Sequence, residues 1–169
     1  GLALFCVSIG LEIEGRIVLG VIYEPIGNEL FTAERGEGAR LNGTRIHVTQ
    51  ESSLIDALMV TGFPYTSSDA RREQLDLFEA FLARSRAVRR LGSAALDLAN
   101  VATGRFEGFW EQGLHPWDVA AGALLVEEAG GTVSAFGGEP FDVFVPEIVA
   151  TNGAVHPSVL EVIRAIRRG

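Results

Sequence analysis

Residues 5 to 13, FCVSIGLEI, alternate strictly. Phe5, Val7, Ile9, Leu11 and Ile13 fall on one side, and Cys6, Ser8, Gly10 and Glu12 on the other. A period of two marks a half-buried strand. Glu14-Gly15 makes a tight turn into RIVLGVIYEP, apolar on both faces and stopped by Pro25. Gly27-Asn28 turns again into ELFTAER. Asn42-Gly43 then separates GARL from TRIHV, a strong hairpin signal because both turn residues must accept positive φ. Residues 1–50 therefore predict an antiparallel meander.

From about residue 54 the pattern becomes strand-helix alternation, and 51–169 reads as an α/β half. LIDALMVTGF predicts a strand, followed by a loop in which Ser67, Ser68 or Asp69 is placed to cap a helix over 70–84. That helix is expected to bury Leu75, Phe78 and Leu82, with Phe81 beside them. RAVRRLG reads as a short strand, SAALDLANVATG as a helix and FEGFWEQG as a strand. Residues 118–129 are apolar almost all the way round, so they predict a buried helix stopped at Gly130-Gly131. GTVSAF and EIVATN are further strands. Pro157 opens a last helix that faces Val159, Ile163 and Ile166 inward. No linker separates the halves, so they should pack on each other. Val18, Gly20 and Ile22 call for a cover on the meander's other face. The chain reads as if it begins partway through a fold.

At 169 residues the chain suits one substantial domain or parts of two, and 47% apolar with 21% charged is ordinary for a soluble globular protein. No apolar run reaches the ~18 residues of a membrane span, and no signal peptide is visible. A single cysteine, Cys6, cannot form an internal disulfide, which favours a reducing cytoplasm. The net charge of -8 and the lack of a long basic patch argue against direct nucleic-acid binding. Arginine supplies all 14 basic residues.

Three places carry candidate chemistry. In RRLGSAALDLA, Gly92-Ser93 turns a strand into a helix of small first residues. Backbone N–H groups there attract anions, and Gly92 and Ala94 leave room for a phosphate to approach them. Ser93 is either part of that cradle or a plain helix cap. It lacks a capping-box glutamate, since Leu96 stands three positions on. In LHPWDVAAG, Asp118 is either a cap or a carboxylate held ready for a hard cation such as Mg²⁺. Glu111, in GFWEQG, is either a solvated strand-end acid or a ligand contact. His115 reads as a loop or packing histidine, His47 and His156 as surface positions, and Cys6 as a small hydrophobe. Jointly, two successive strand-to-helix turns present an anion cradle beside carboxylates at strand carboxyl ends. That is the plan of a metal-assisted phosphatase.

LGSAALDLANVATGRFEGFWEQGLHPWDVAAGALLVEEAGG closely resembles the C-terminal signature of the inositol monophosphatase family. FCVSIGLEIEGRIVLGVIYEPIGNELFTAERGEGARLNG resembles the stretch upstream of it. The resemblance implies a five-layer αβαβα sandwich, hydrolysis of phosphate monoesters, Mg²⁺ dependence and a homodimer. It makes Asp118 the catalytic aspartate that ligates a metal and contacts substrate. Gly92, Ser93 and Ala94 become substrate contacts, and Glu111 the acid that bonds a hydroxyl of the inositol ring.

The sequence departs from the family in one respect. A helical glutamate and an Asp-Pro-Ile/Leu-Asp-Gly-Thr segment, which supply the other metal ligands, do not occur in it. The resemblance puts them upstream of Gly1, so an N-terminal part of the fold is expected outside these residues. One carboxylate holds Mg²⁺ poorly, and the 169 residues alone are expected to be nearly inactive. The reading is a Mg²⁺-dependent phosphatase of inositol 1-phosphate or related sugar phosphates. Fructose 1,6-bisphosphate and nucleotide 3'-phosphates are alternative substrates. The rival is a non-enzymatic, protein-binding role with the transcription machinery.

Overall fold

A computed structural model describes residues 3–63 and 68–168. The expected meander is a five-stranded antiparallel sheet in sequence order: β1 (Val7–Ile13), β2 (Arg16–Glu24), β3 (Glu29–Glu34), β4 (Gly38–Leu41) and β5 (Thr44–Arg45). Both two-residue turns take the left-handed conformation, with φ of 51° and 77° at Glu14 and Gly15, and 48° and 82° at Asn42 and Gly43. Positive φ at both turn residues matches the right-handed twist of the flanking strands.

The second sheet is mixed, ordered β7-β6-β8-β10-β9. Its strands are β6 (Leu58–Thr61), β7 (Ala87–Arg89), β8 (Gly108–Gln112), β9 (Thr132–Ser134) and β10 (Glu147–Thr151). β6 runs parallel to both β7 and β8, while β10 is antiparallel to β8 and β9. Residues alternate across it as strand geometry requires. Val60, Phe109, Ile148 and Ala150 join one core, and Met59, Trp110 and Val149 the other.

The first of those cores holds α2 (Ala94–Ala102) and α3 (Pro116–Glu128), which lie between the two sheets. Beyond the second sheet lie α1 (Ser68–Leu82) and α4 (His156–Arg167). The order is sheet, helices, sheet, helices: four layers of the expected five among the described residues. As foreseen, α3 is buried along its length, from Val119 to Val126. No helix of the described residues is long and apolar enough to cross a membrane.

Several local expectations are corrected. Gly20 and Ile22 already lie buried under α3, while Val7, Ile9, Leu11 and Ile13 of β1 stay about half exposed on the opposite face. Small residues decide this facing. Gly10 and Gly20 are cross-strand partners, and a Cβ on them would stand 2.7 Å from Ala120 Cβ and 2.8 Å from the Ala121 oxygen. Only that glycine face lets α3 approach so closely.

In α1 the buried stripe is Gln74, Leu77 and Phe81, whereas Leu75 and Leu82 are half exposed. The apolar face is thus rotated by one residue to admit a polar one. The cap expected among Ser67, Ser68 and Asp69 falls outside the residues whose side chains are described. α3 starts two residues earlier than expected, because Pro116 occupies its first turn, where the missing N–H costs nothing. His156 is buried rather than superficial, 8% exposed at the start of α4.

Candidate functional site

All three parallel strands of the second sheet deliver their carboxyl ends to one place. β7 runs out into Leu91-Gly92-Ser93, β6 into Gly62-Phe63, and β8 ends at Glu111 and Gln112. The residues just before and within β1 close the opposite side, including Cys6 and Ser8. The result is a cleft of about 490 Å³ that gathers Gly92, Ser93, Ala94, Glu111 and Asp118. Strand carboxyl ends are where open α/β sheets collect ligands.

The start of α2 forms one wall. Ser93 occupies the N-cap position but makes no side-chain cap bond; its Oγ faces Cys6 Sγ at 3.8 Å. The plain-cap alternative for its hydroxyl is therefore removed, although its carbonyl accepts the Asp97 N–H at 2.9 Å. Gly92 is exposed with φ of 107° and open space where a Cβ would stand. Its glycine meets a backbone requirement rather than a steric one. Cys6 is half-buried, and burial above all raises its thiol pKa, with the charges of Glu24 and Asp118 adding to the effect.

Asp118 is in the first turn of α3. Its Oδ2 accepts the N-cap backbone N–H of His115 at 2.9 Å, as in a capping box. The His115 ring stacks on Trp117 at 4.6 Å, and Trp117 is 66% exposed. Asp118 is thus held by the helix start while remaining partly open to the cleft.

Glu111 is the opposite kind of acid, 8% exposed on the cleft wall. A Cβ on Gly62 would overlap its carboxylate at 2.2–2.3 Å, so only a bare backbone fits beside it. Buried Gln74 fixes that backbone, donating from Nε2 to Thr61 Oγ1 and to the Gly62 carbonyl, each at 2.6 Å. Burial first, then the charge of Asp118, push Glu111 up to about 7 against the pull of Arg90. The same cleft is lined by Asp97 of α2, 1% exposed, which burial and then the charge of Glu111 push up to about 8. Its Oδ1 is buried without a hydrogen-bond partner among the described residues.

Sequence reasoning missed Gly62, Gln74 and Asp97. Gly62 stands next to last in the predicted strand LIDALMVTGF, and a glycine inside a strand is a usable hint of close backbone approach. A polar residue on a buried helix face gives none.

Among the described residues no group of three or more His, Cys, Asp or Glu is placed to hold a metal ion. Asp118 supplies one hard oxygen donor to the cleft, whereas a Mg²⁺ site needs several. The donor set described does not complete such a site. A larger cleft of about 640 Å³ opens elsewhere, between the β1–β2 turn, α3 and residues 140–144. It holds none of the candidate residues.

The sequence profile of the inositol monophosphatase family matches residues 1–168. The chain belongs to that family. It is 44% identical over 160 residues to an inositol-1-monophosphatase of Synechocystis, covering 95% of this chain and 56% of that protein. Nus factor SuhB of Escherichia coli strain K12 is 46% identical over 156 residues, 92% of this chain and 58% of that one. The solved inositol monophosphatase of Anabaena (Nostoc) superposes with a TM-score of 0.91 at 45% identity, covering 96% of this chain and 65% of that one. The chain therefore spans between 56% and 65% of the length of these family members. Within that span the five residues singled out from the sequence converge on one cleft.

Proposed function

We propose that this chain forms the phosphate- and polyol-binding part of a phosphate monoester hydrolase acting on inositol 1-phosphate or a related sugar phosphate. One observation carries the reading: the start of α2, the half-open carboxylate of Asp118 and the buried carboxyl of Glu111 share a single cleft. Free backbone N–H groups at the start of a helix suit the phosphate dianion. Glu111 suits a hydroxyl of the ring, because a buried acceptor discriminates sharply between substrates that do and do not offer it a proton. Asp118 lies where it can offer Mg²⁺ one oxygen. The described residues do not complete that ion's shell. Bound Mg²⁺ would supply charge neutralisation and water activation. A cytoplasmic setting is supported by the single cysteine.

A second reading has its own support. Relatives named Nus factor SuhB are as similar to this chain as those named inositol-1-monophosphatase. In that reading the protein serves the transcription machinery as a non-enzymatic binding partner.

Phosphate release separates the two. The gene product expressed in full is incubated with inositol 1-phosphate, fructose 1,6-bisphosphate and a nucleoside 3'-phosphate, with Mg²⁺ and with a chelator. The expected result is Mg²⁺-dependent release, fastest from inositol 1-phosphate. A folded protein that releases no phosphate from any of them contradicts the hydrolase reading and leaves the binding role.

A further inference from the structure

Gln74 is a fully buried amide in the same stripe of α1 as the core residues Leu77 and Phe81. Its Oε1 has no hydrogen-bond partner among the described residues. An apolar side chain of similar volume would avoid that cost. The amide is therefore kept for its two N–H donors, and both are used at the end of β6. One goes to the Gly62 carbonyl and the other to Thr61 Oγ1, each at 2.6 Å. A carbonyl can only accept, so the nitrogen must face it. Thr61, also fully buried, passes the link on. Its hydroxyl donates to the Trp110 carbonyl at 2.5 Å, nearer than the Gly62 carbonyl at 3.3 Å. The ladder between β6 and β8 ends at Thr61 and Trp110, and the relay adds its side-chain bonds at that point.

Both ends of the relay border Glu111. Trp110 precedes it in β8, and Gly62 stands against its side chain: the carboxylate fills the space that a Cβ at position 62 would take. Gln74 thus ties the backbone that carries Glu111 to the backbone on which its carboxyl rests. We propose that Gln74 and Thr61 are positioning residues for Glu111. They hold the ends of β6 and β8 at a fixed spacing, so that the carboxyl is already in place on the cleft wall when a substrate hydroxyl arrives. An acceptor ordered in advance spares the cost of ordering it on binding. This inference rests on Glu111 reading a ring hydroxyl.

The test uses the full gene product with Mg²⁺ and two substrates, inositol 1-phosphate and p-nitrophenyl phosphate, which offers no ring hydroxyls. Gln74→Met and Thr61→Val remove the donors at similar volume, whereas Thr61→Ser keeps the hydroxyl. Gln74→Met and Thr61→Val should each lower kcat/KM for inositol 1-phosphate through KM, by up to about fivefold, the scale of the hydrogen bond they misalign. Their rates on p-nitrophenyl phosphate should hold, and Thr61→Ser should stay near the parent on both substrates. In a Glu111→Gln background neither should lower the substrate ratio further, because residues that act through one contact are not additive. Where Gln74→Met does not fold, Thr61→Val against Thr61→Ser gives the same comparison.

Equal losses on both substrates, in step with a lowered melting temperature, would overturn the proposal in favour of a structural role. So would additive losses in the double variants, or a Thr61→Ser that behaves as Thr61→Val does. If Glu111→Gln itself leaves the substrate ratio unmoved, the hydroxyl reading fails and this inference with it. If that ratio moves while Gln74→Met and Thr61→Val leave it unchanged, only the positioning role is lost.

Discussion

His156 and Glu111 are equally buried, each 8% exposed, at different places along the second sheet, yet their surroundings treat them differently. Around His156 each polar contact has a partner. Ser134 Oγ donates to the Ala135 carbonyl at 2.8 Å, so toward the ring it acts as acceptor, 3.0 Å from Nε2. Thr151 Oγ1 accepts the Gly153 N–H and is left to donate to Nδ1, also at 3.0 Å. That bookkeeping assigns a neutral imidazole with its proton on Nε2. Burial lowers the His156 pKa accordingly. Around Glu111 the reverse holds: an unpartnered Asp97 oxygen, a raised pKa and a wall facing a cleft. A satisfied buried network holds a fold together, whereas an unsatisfied one at a cavity is poised for something outside the chain.

The contrast is broken most severely at the third acid. Asp118→Asn should cost the full protein more than about a hundredfold in phosphate release at saturating Mg²⁺, beyond what loss of even an outer-shell partner costs. Its melting temperature should barely change, since an amide oxygen still accepts the His115 N–H. Undiminished release would return Asp118 to a plain helix cap.

His156→Leu should do the opposite. It strands Ser134 and Thr151 and should cost about 1–3 kcal/mol of stability, read by chemical denaturation, with kcat/KM unchanged. Loss of activity without loss of stability would mean that the satisfied cluster also serves the site. Gly92→Val should raise KM about tenfold, through 1–2 kcal/mol of strain at a φ of 107° rather than through a clash. An unmoved KM and unmoved inhibition by inorganic phosphate would place the phosphate elsewhere.

The two clusters should also respond to pH with opposite signs. Asp97 and Glu111 have folded pKa values of about 8 and about 7, above the ordinary 3.8 and 4.5. Their contribution to stability is full below those ordinary values and is lost as pH rises through the folded ones. His156 is lowered from 6.5, so its penalty appears as pH falls below 6.5, where the unfolded chain takes up a proton that the folded one resists. Denaturation midpoints across pH should therefore fall less steeply with rising pH in Asp97→Asn, where Glu111 alone keeps a raised pKa, and should lose their acid slope in His156→Leu. Unchanged slopes in both variants would contradict these assignments.

Much of this was legible in the sequence because it is local. Asn42-Gly43 announces its turn, the apolar run after Asp118 can only be a buried helix, and GSAA and WDVAAG mark two strand-to-helix turns. What stayed hidden depends on partners distant in the chain. Alternation in β1 located a strand, but its buried face was chosen by Ala120 and Ala121 meeting Gly10 and Gly20. In α1, leucine periodicity suggested Leu75 and Leu82, whereas the chain buries Gln74 to hold the end of β6. Asp97 reads as one helical acid among many until the fold brings it onto the cleft that Glu111 also lines. His156 looked superficial because one side of its network, Ser134, lies 22 residues away in sequence.

The central claim is that the cleft reads a polyol phosphate through Glu111. The most direct measurement is the ratio of kcat/KM for inositol 1-phosphate to that for p-nitrophenyl phosphate, in the parent and in Glu111→Gln. A charged acceptor bonds a hydroxyl more strongly than a neutral one by about 1 kcal/mol, so the ratio should fall roughly fivefold in the variant. Hydrolysis of p-nitrophenyl phosphate should fall much less, because neither the start of α2 nor Asp118 is altered. A ratio that does not move, even with both rates lowered, would contradict the claim and make Glu111 a support for Asp118.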